Sequence, residues 1–280
     1  GRTLGLLVDR VVTRDLGLTW ENAEVLVLER ADDTYSAGLS EAIESVVPRD
    51  ADASSLATFE TYPENWEEYW VTNRGDFAEP HVVVILGASE GWDFAEEIDS
   101  FFDSEPIFVF ADAAKNSEEA AVTDLALEGR ILGTAPQNVG DTDYIPYQSF
   151  RAKYRSDYDE DPNQFQFVAN AFDALFVIAL GASAEGVRGP QIAQGMKRLS
   201  DPEAEEISAD QTGATRAIEI LRGEDAIDYQ GAAGPMNFDE TGEPDFSPIA
   251  LWCFEDGGVP EKGVLFAGVG MSLESVSCEA

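Results

Sequence analysis

Histidine, lysine and cysteine are scarce in this chain. Its 280 residues hold one histidine, His81, and two cysteines, Cys253 and Cys278. Lysine occurs only at Lys115, Lys153, Lys197 and Lys262. One histidine and two cysteines do not make a structural zinc site, and no metal is expected. Basic residues number 17 against 55 acidic ones, a formal net charge of -38. Nucleic-acid phosphates and anionic lipid both need clustered Lys and Arg, so nucleic acid is set aside as a partner. Such acidity with little lysine suits a salt-rich milieu, where counterions screen self-repulsion; a plain solvated acidic surface explains most of it. No G-x-G-x-x-G follows the first strands and no G-x-x-x-x-G-K-[ST] occurs, so no nucleotide cradle and no cofactor are expected. No leader is visible, because the sequence opens on Gly1-Arg2-Thr3-Leu4, as a mature or trimmed chain would. The most apolar stretch, Phe165–Ala184, carries Gln166, Asn170 and Asp173. That pattern reads as a buried helix and not a membrane span. In an oxidised compartment the two cysteines would close a loop of about 25 residues, worth ~3 kcal/mol; spacing alone leaves the bridge open.

What is present is an apolar fraction of 44%, enough to fill a core. Short runs rich in Val, Ile and Phe read as strands covered on both faces: Leu4–Val8, Val25–Glu29, Ala57–Thr61, Val82–Leu86 and Ile107–Phe110. Helical stretches lie between them at Tyr35–Val46, Glu64–Asn73, Trp92–Phe102 and Ser117–Leu127. Trp66, Tyr69 and Trp70 share one helical stripe, and Asn116 with Glu119 reads as a helix start. This alternation predicts a doubly wound parallel sheet. Helices then follow in succession at Tyr144–Tyr158, Gln164–Ala184, Pro190–Leu199 and Ala214–Arg222. Ser200–Gln211 reads as a loop, Tyr229–Gly234 and Met236–Asp239 as turns and short strands, and Pro248–Phe254 as a closing strand.

Two motifs mislead. Gly87-Ala88-Ser89-Glu90-Gly91 matches the nucleophile elbow G-x-S-x-G between a strand and a helix. The only histidine precedes the serine, and about 17 Å of extended strand separates them, far beyond the reach of a general base. A tight turn lining a ligand site is the better reading. Asp157-Tyr158-Asp159-Glu160-Asp161 opens like a calcium loop, but Pro162 and Val168 stand where Gly and Glu are needed. No nucleophile, base and orienting group can be assembled, so no catalytic residue and no enzyme are expected.

Several segments together resemble the branched-chain amino-acid type of ABC-transporter substrate-binding protein, the type I periplasmic binding proteins. Val25–Glu29 followed by Asp32-Asp33-Thr34-Tyr35-Ser36-Ala37-Gly38 is similar to that family's "DD-x-YG-x-G" helix start, with Ser36 in place of Gly. Val82–Gly87, Ile107–Asp112 and Glu128–Thr134 keep the family's order. Phe150 and Tyr154 precede Asp161-Pro162, and Ala171-Phe172-Asp173-Ala174 stands at "A-Y-D-A". Tyr229-Gln230-Gly231, Gly234, Phe238-Asp239 and Gly242-Glu243 match its "Y-x-G-x-x-G-x-x-x-F-D-x-x-G-D" signature.

The resemblance implies a two-lobed α/β fold with doubly wound parallel sheets, its first lobe incomplete. Residues 1–9 would be a remnant strand of lobe 1, 10–138 lobe 2, 139–246 the helical return of lobe 1, and 247–280 a hinge-crossing strand and C-terminal segment. A lobe lacking strands would leave unpaired edges and bare apolar helix faces. The implied ligand contacts are Tyr35, Ala88, Ser89, Asp112 and Phe172, with Asp112 placed to pair with an amino group. Each has a plainer alternative: a surface tyrosine, a helix cap at Ser89 or Asp112, a core Phe172. The implied function is extracytoplasmic capture of an amino acid or related amine or amide for an ABC permease, without catalysis. A non-transport sensor or interaction module with a receptor partner is the alternative. The location would be periplasmic or extracellular, the chain not itself spanning the membrane, with a lipid anchor on a removed N-terminus as one arrangement.

Overall fold

The computed structural model of the chain describes residues 1–136, 144–162, 167–238, 249–266 and 278. It forms two compact units: unit 1 is Gly1–Pro136 with Pro248–Ala280, and unit 2 is Gln137–Ser247. The expected boundaries at 138/139 and 246/247 lie outside the described residues, as do Asp239, Gly242, Glu243 and Pro248.

Unit 1 is built on strands β1 (Val25–Arg30), β2 (Thr58–Tyr62), β3 (Val82–Leu86), β4 (Ile107–Phe110), β5 (Ile131–Pro136), β8 (Ile249–Cys253) and β9 (Glu261–Phe266). Their order in the sheet is β2-β1-β3-β4-β5-β8-β9. The first five are parallel, and β8 and β9 join antiparallel. Alternate side chains feed two cores, which is why these runs are continuously apolar. Val25, Val27, Val82, Val84 and Leu86 enter one core together with α1 (Arg2–Arg10) and α2 (Thr34–Glu44). Leu26, Leu28, Val83 and Ile85 enter the other, under α3 (Trp66–Asn73) and α4 (Glu90–Phe101).

Leu4–Val8, expected as a remnant strand of lobe 1, is instead helical and packs within unit 1. Leu4, Leu7, Val8, Val11 and Val12 recur at i, i+3, i+4, i+7 and i+8 and are 0–1% exposed. A short apolar run does not by itself separate strand from helix, and here the longer 3.6-residue period decides it. The helical run at the start of this unit therefore begins at Arg2. Ser117–Leu127 also differs: α5 stops at Ala120 because the Asp124 side chain caps a fresh turn at Leu125–Leu127.

Cys253 and Cys278 are joined, with Cα atoms 5.7 Å apart, and Cys278 packs on the first core. All five tryptophans (Trp20, Trp66, Trp70, Trp92 and Trp252) lie in unit 1, so their fluorescence reports its unfolding. Reducing the bridge should lower the stability of unit 1 by about 2 kcal/mol, the lower end for a native disulfide, since Cys278 is only partly buried. Urea denaturation with and without dithiothreitol, read by tryptophan fluorescence, checks this; coincident midpoints would show that the bridge carries no stability.

Unit 2 holds α6 (Ile145–Tyr158), α7 (Val168–Glu185), α8 (Gly189–Met196), α9 (Gln211–Leu221) and a two-stranded parallel sheet of β6 (Glu205–Ser208) and β7 (Ile227–Gln230). β6 falls inside the stretch expected as a loop; Ile207 alone of its four residues is fully buried, so its apolar signal is weak. α7 is expected to be buried, but only 22% of it is. Val177, Leu180 and Gly181 face the core, while Ala171, Ala174, Leu175 and Ile178 form an exposed apolar face. A two-stranded sheet is too narrow to cover a helix that is apolar all round. Length and apolarity would let α7 cross a membrane, yet Asp173 is 0% exposed and accepts hydrogen bonds from Tyr229 and from Ala232 and Ala233 N–H. Those bonds make α7 a layer of unit 2.

Candidate functional site

The strand order turns at β1. The chain leaves β1 through α2 toward β2 on one side, and leaves β3 through α4 toward β4 on the other. Where loops depart in opposite directions, the carboxyl ends of β1 and β3 are the usual place for a ligand in an open α/β sheet. Around it stand Arg30 and Asp33 after β1, Tyr62 at the end of β2, Gly87–Glu90 after β3, and Asp112 after β4.

Asp33 caps α2 by accepting from Tyr35 N–H at 3.1 Å. Ser36, the residue that departs from the family pattern, is fully buried. Its Oγ stands 2.7 Å from both Asp33 Oδ2 and the Leu86 carbonyl oxygen, so its one proton has an acceptor on either side of the turning point. The Ser36 hydroxyl in turn holds the Asp33 carboxyl below its ordinary pKa. A glycine there would leave α2 untied to the end of β3.

Capping directs Tyr35 along the edge, where its hydroxyl donates to Asp112 Oδ1. Burial, and then the Asp112 carboxylate, push the Tyr35 phenol far above its usual pKa, so it stays protonated and remains a donor. Asp112 is half-buried and caps no helix, since α5 takes its cap from Asn116. Ser89 is exposed and makes no side-chain cap to α4, and Ala88 is half-buried beside it. Tyr35 and Asp112 are thus in direct contact, with Ala88 and Ser89 on the neighbouring loop. Phe172 belongs to unit 2, where it stacks between Phe150 at 5.0 Å and Phe176 at 4.8 Å. His81 accepts from Glu24 N–H at 3.0 Å, at the opposite end of β3 from Ser89, which leaves the G-x-S-x-G serine without a base. Among the described residues no group of His, Cys, Asp and Glu is arranged to hold a metal.

Sequence reasoning missed three residues here. Arg30 Nη1 donates to Glu90 Oε1 at 3.0 Å, Tyr62 Oη donates to the same oxygen at 3.4 Å, and Ala88 N–H donates to Glu90 Oε2 at 3.1 Å. Burial and then Glu90 push the Tyr62 hydroxyl well above its ordinary pKa. A Cβ on Gly87 would come within 2.2 Å of Tyr62 Oη and 2.8 Å of Glu90 Oε1, so only glycine lets the carboxylate fold over the loop. The available signal was an arginine closing the apolar run Val25–Glu29.

A mostly parallel sheet covered by helices on both faces, with polar groups gathered at its turning point, defines a doubly wound α/β unit. The solved structures it resembles include substrate-binding proteins of ABC transporters and a type 1 periplasmic binding protein. A leucine-binding protein LivK from Thermotoga maritima superposes with a TM-score of 0.66 at 16% identity, over 95% of this chain and 65% of that one. The branched-chain amino acid transporter substrate-binding protein LivJ from Streptococcus pneumoniae, solved with isoleucine, gives 0.60 at 15% identity, over 93% and 64%. A solute-binding protein of an ABC transporter from R. palustris, solved with benzoate, gives 0.59 at 13% identity, over 100% and 65%. The chain therefore spans just under two thirds of the length of these proteins, and at such identities the likeness is one of fold. No protein-family model and no curated protein matches the sequence.

Proposed function

We propose that the chain acts as an extracytoplasmic solute-binding protein, capturing a small amine-bearing ligand such as an amino acid or amide for an ABC permease. The observation that carries this reading is the Asp112 carboxylate at the turning point of the sheet, held by the Tyr35 hydroxyl. A half-buried carboxylate whose charge the Gly1 ammonium already feels is placed to accept an ammonium group as a charge-assisted, directional partner. The isoleucine- and leucine-binding proteins of the same fold support an amino-acid-like ligand. The benzoate complex supports a carboxylate as a second group that such a site accepts. Phe172 as a ligand contact stays an expectation of the family resemblance. Ser36 in place of the family's glycine favours a second reading, a ligand sensor with a receptor partner, because it ties the two sides of the turning point together.

The test is a thermal-shift panel of amino acids, amides, polyamines and short-chain acids. A binder at 100 times its dissociation constant should add about 2.7 kcal/mol of stability. Asp112→Ala should weaken an amine-bearing binder by about 10- to 100-fold, from loss of a charged hydrogen bond of about 1.5–3 kcal/mol. A flat wild-type panel at saturating concentrations, or full binding by Asp112→Ala, would remove this reading.

A further inference from the structure

Arg30 closes β1 at the turning point, and most of its donors are unspent. Its hydrogen bonding in the described structure is a single N–H, from Nη1 to Glu90. The Nε–Nη2 edge, the side of a guanidinium that forks a carboxylate, makes no hydrogen bond among the described residues. The side chain is 34% exposed, so this edge is reachable from solvent. The pairing with Glu90 does not cancel its use. Glu90 shares its charge among three donors, Arg30, the Tyr62 hydroxyl and the Ala88 amide, and one guanidinium can hold two carboxylates on different edges.

The setting is also rigid. Tyr62 is 1% exposed and stacks edge-on to Phe94 at 5.3 Å, and Glu90 folds over a loop that only Gly87 allows. Arg30 pairs in register with Tyr62, so the guanidinium is braced from the neighbouring strand and from the loop after β3. A braced guanidinium loses less side-chain entropy when it binds than a free one would. β1 and β4 are separated in the sheet only by β3, so the carboxyl ends carrying Arg30 and Asp112 lie about 10 Å apart at the spacing of neighbouring strands. Side chains the length of arginine and tyrosine span much of that distance.

From this geometry we infer that Arg30 is the carboxylate receptor of the site, selecting ligands that carry an anionic carboxylate as well as the amine held at Asp112. The inference rests on the solute-binding reading above and names the group that the reading leaves open. Glu90 and Tyr62 act on it as positioning residues: they hold the guanidinium and touch no ligand atom.

Calorimetric titration of leucine, phenylalanine and lysine, each beside the amine that lacks its carboxylate, tests the assignment in wild type, Arg30→Gln, Arg30→Lys and Glu90→Gln. For the amino acids, Arg30→Gln should raise Kd at least about 30-fold and Arg30→Lys about tenfold, because lysine keeps the charge but loses the fork. The decarboxylated amines should bind all variants within about twofold of wild type. Glu90→Gln should weaken amino-acid binding by about threefold to tenfold and leave the amines unchanged, because the guanidinium loses its brace, and melting curves of each variant show that it is folded. Equal loss for amino acid and amine in Arg30→Gln would overturn the assignment and make Arg30 structural. Tight wild-type binding of the amines alone would overturn it while leaving the solute-binding reading intact. Absence of binding by every probe to wild type would end both.

Discussion

Replacing Asp173 with alanine should destabilise unit 2 by about 4–6 kcal/mol. The carboxylate takes hydrogen bonds from the Tyr229 hydroxyl at 3.0 Å, Ala232 N–H at 2.7 Å and Ala233 N–H at 2.6 Å, the first two buried and the third part-buried. Its removal orphans two buried donors and one part-buried one, each buried donor costing about 1–3 kcal/mol, and leaves a small void as well. Since unit 2 holds no tryptophan, the loss should be seen in the far-UV circular dichroism transition and little in tryptophan fluorescence. Coincident shifts in both signals, or a shift below about 1 kcal/mol, would refute this account. Acidity enters with a definite sign. Burial raises the Asp173 carboxyl above the ordinary carboxylate pKa, more than its three hydrogen bonds lower it. The group therefore stabilises the fold most below its unfolded pKa, and part of that stability is lost as pH rises through the raised folded value. The stability gap between wild type and Asp173→Ala should widen as pH falls from neutral through the folded pKa toward the unfolded one.

The second large effect belongs to Gly133→Ala in unit 1, with an expected loss of about 3–4 kcal/mol. Gly133 lies on β5 opposite Trp252 of β8. A Cβ there would sit 2.5 Å from the Phe110 carbonyl oxygen and 2.5 Å from the Trp252 ring. Trp252 is fully buried and packs on Trp92 and Phe110, so the ring has nowhere to retreat, and the other obstacle is backbone. Overpacking with no give lies at the upper end of its usual cost. Tryptophan emission, with Trp252 in contact, should register both the lower urea midpoint and a changed native spectrum. A variant with wild-type midpoint and spectrum would mean that β5 and β8 separate at little cost.

The parallel core of unit 1 was legible because strands covered on both faces leave unbroken runs: Val82–Leu86 and Ile107–Phe110 match β3 and β4 residue for residue. Leu4–Val8 failed for the same reason inverted. A helix with a wide apolar stripe produces a short unbroken run too, and only the continuation to Val11 and Val12 betrays its period. β6 was missed because an edge strand carrying Glu205 and Glu206 has one buried side chain to announce it. Tyr35 and Asp112 were named as contacts only through the family resemblance, and the structure shows that the two touch each other. Arg30, Glu90 and Tyr62 were not, because their meaning lies in a contact across three strands that no spacing reports. Likewise Asp173 and Gly231 were seen as separate pieces of two motifs. In the structure they are one device: a Cβ on Gly231 would fall 2.6 Å from Asp173 Oδ2, so the glycine clears the space that the carboxylate fills.

The exposed face of α7 bears on how the chain stays in solution. Its Ala171, Ala174, Leu175 and Ile178 bring no charge of their own to the surface. The net charge of -38 distributed over the rest of the molecule makes copies repel one another. That repulsion reaches about 10 Å at 0.1 M salt but only about 3 Å at 1 M, whereas apolar attraction does not weaken with ionic strength and grows with excluded salts such as sulfate. Colloidal stability here is thus a contest between a long-range term that salt erases and a short-range term that salt sharpens. The saline conditions that calm the acidic surface are the ones in which the bare side of α7 becomes adhesive.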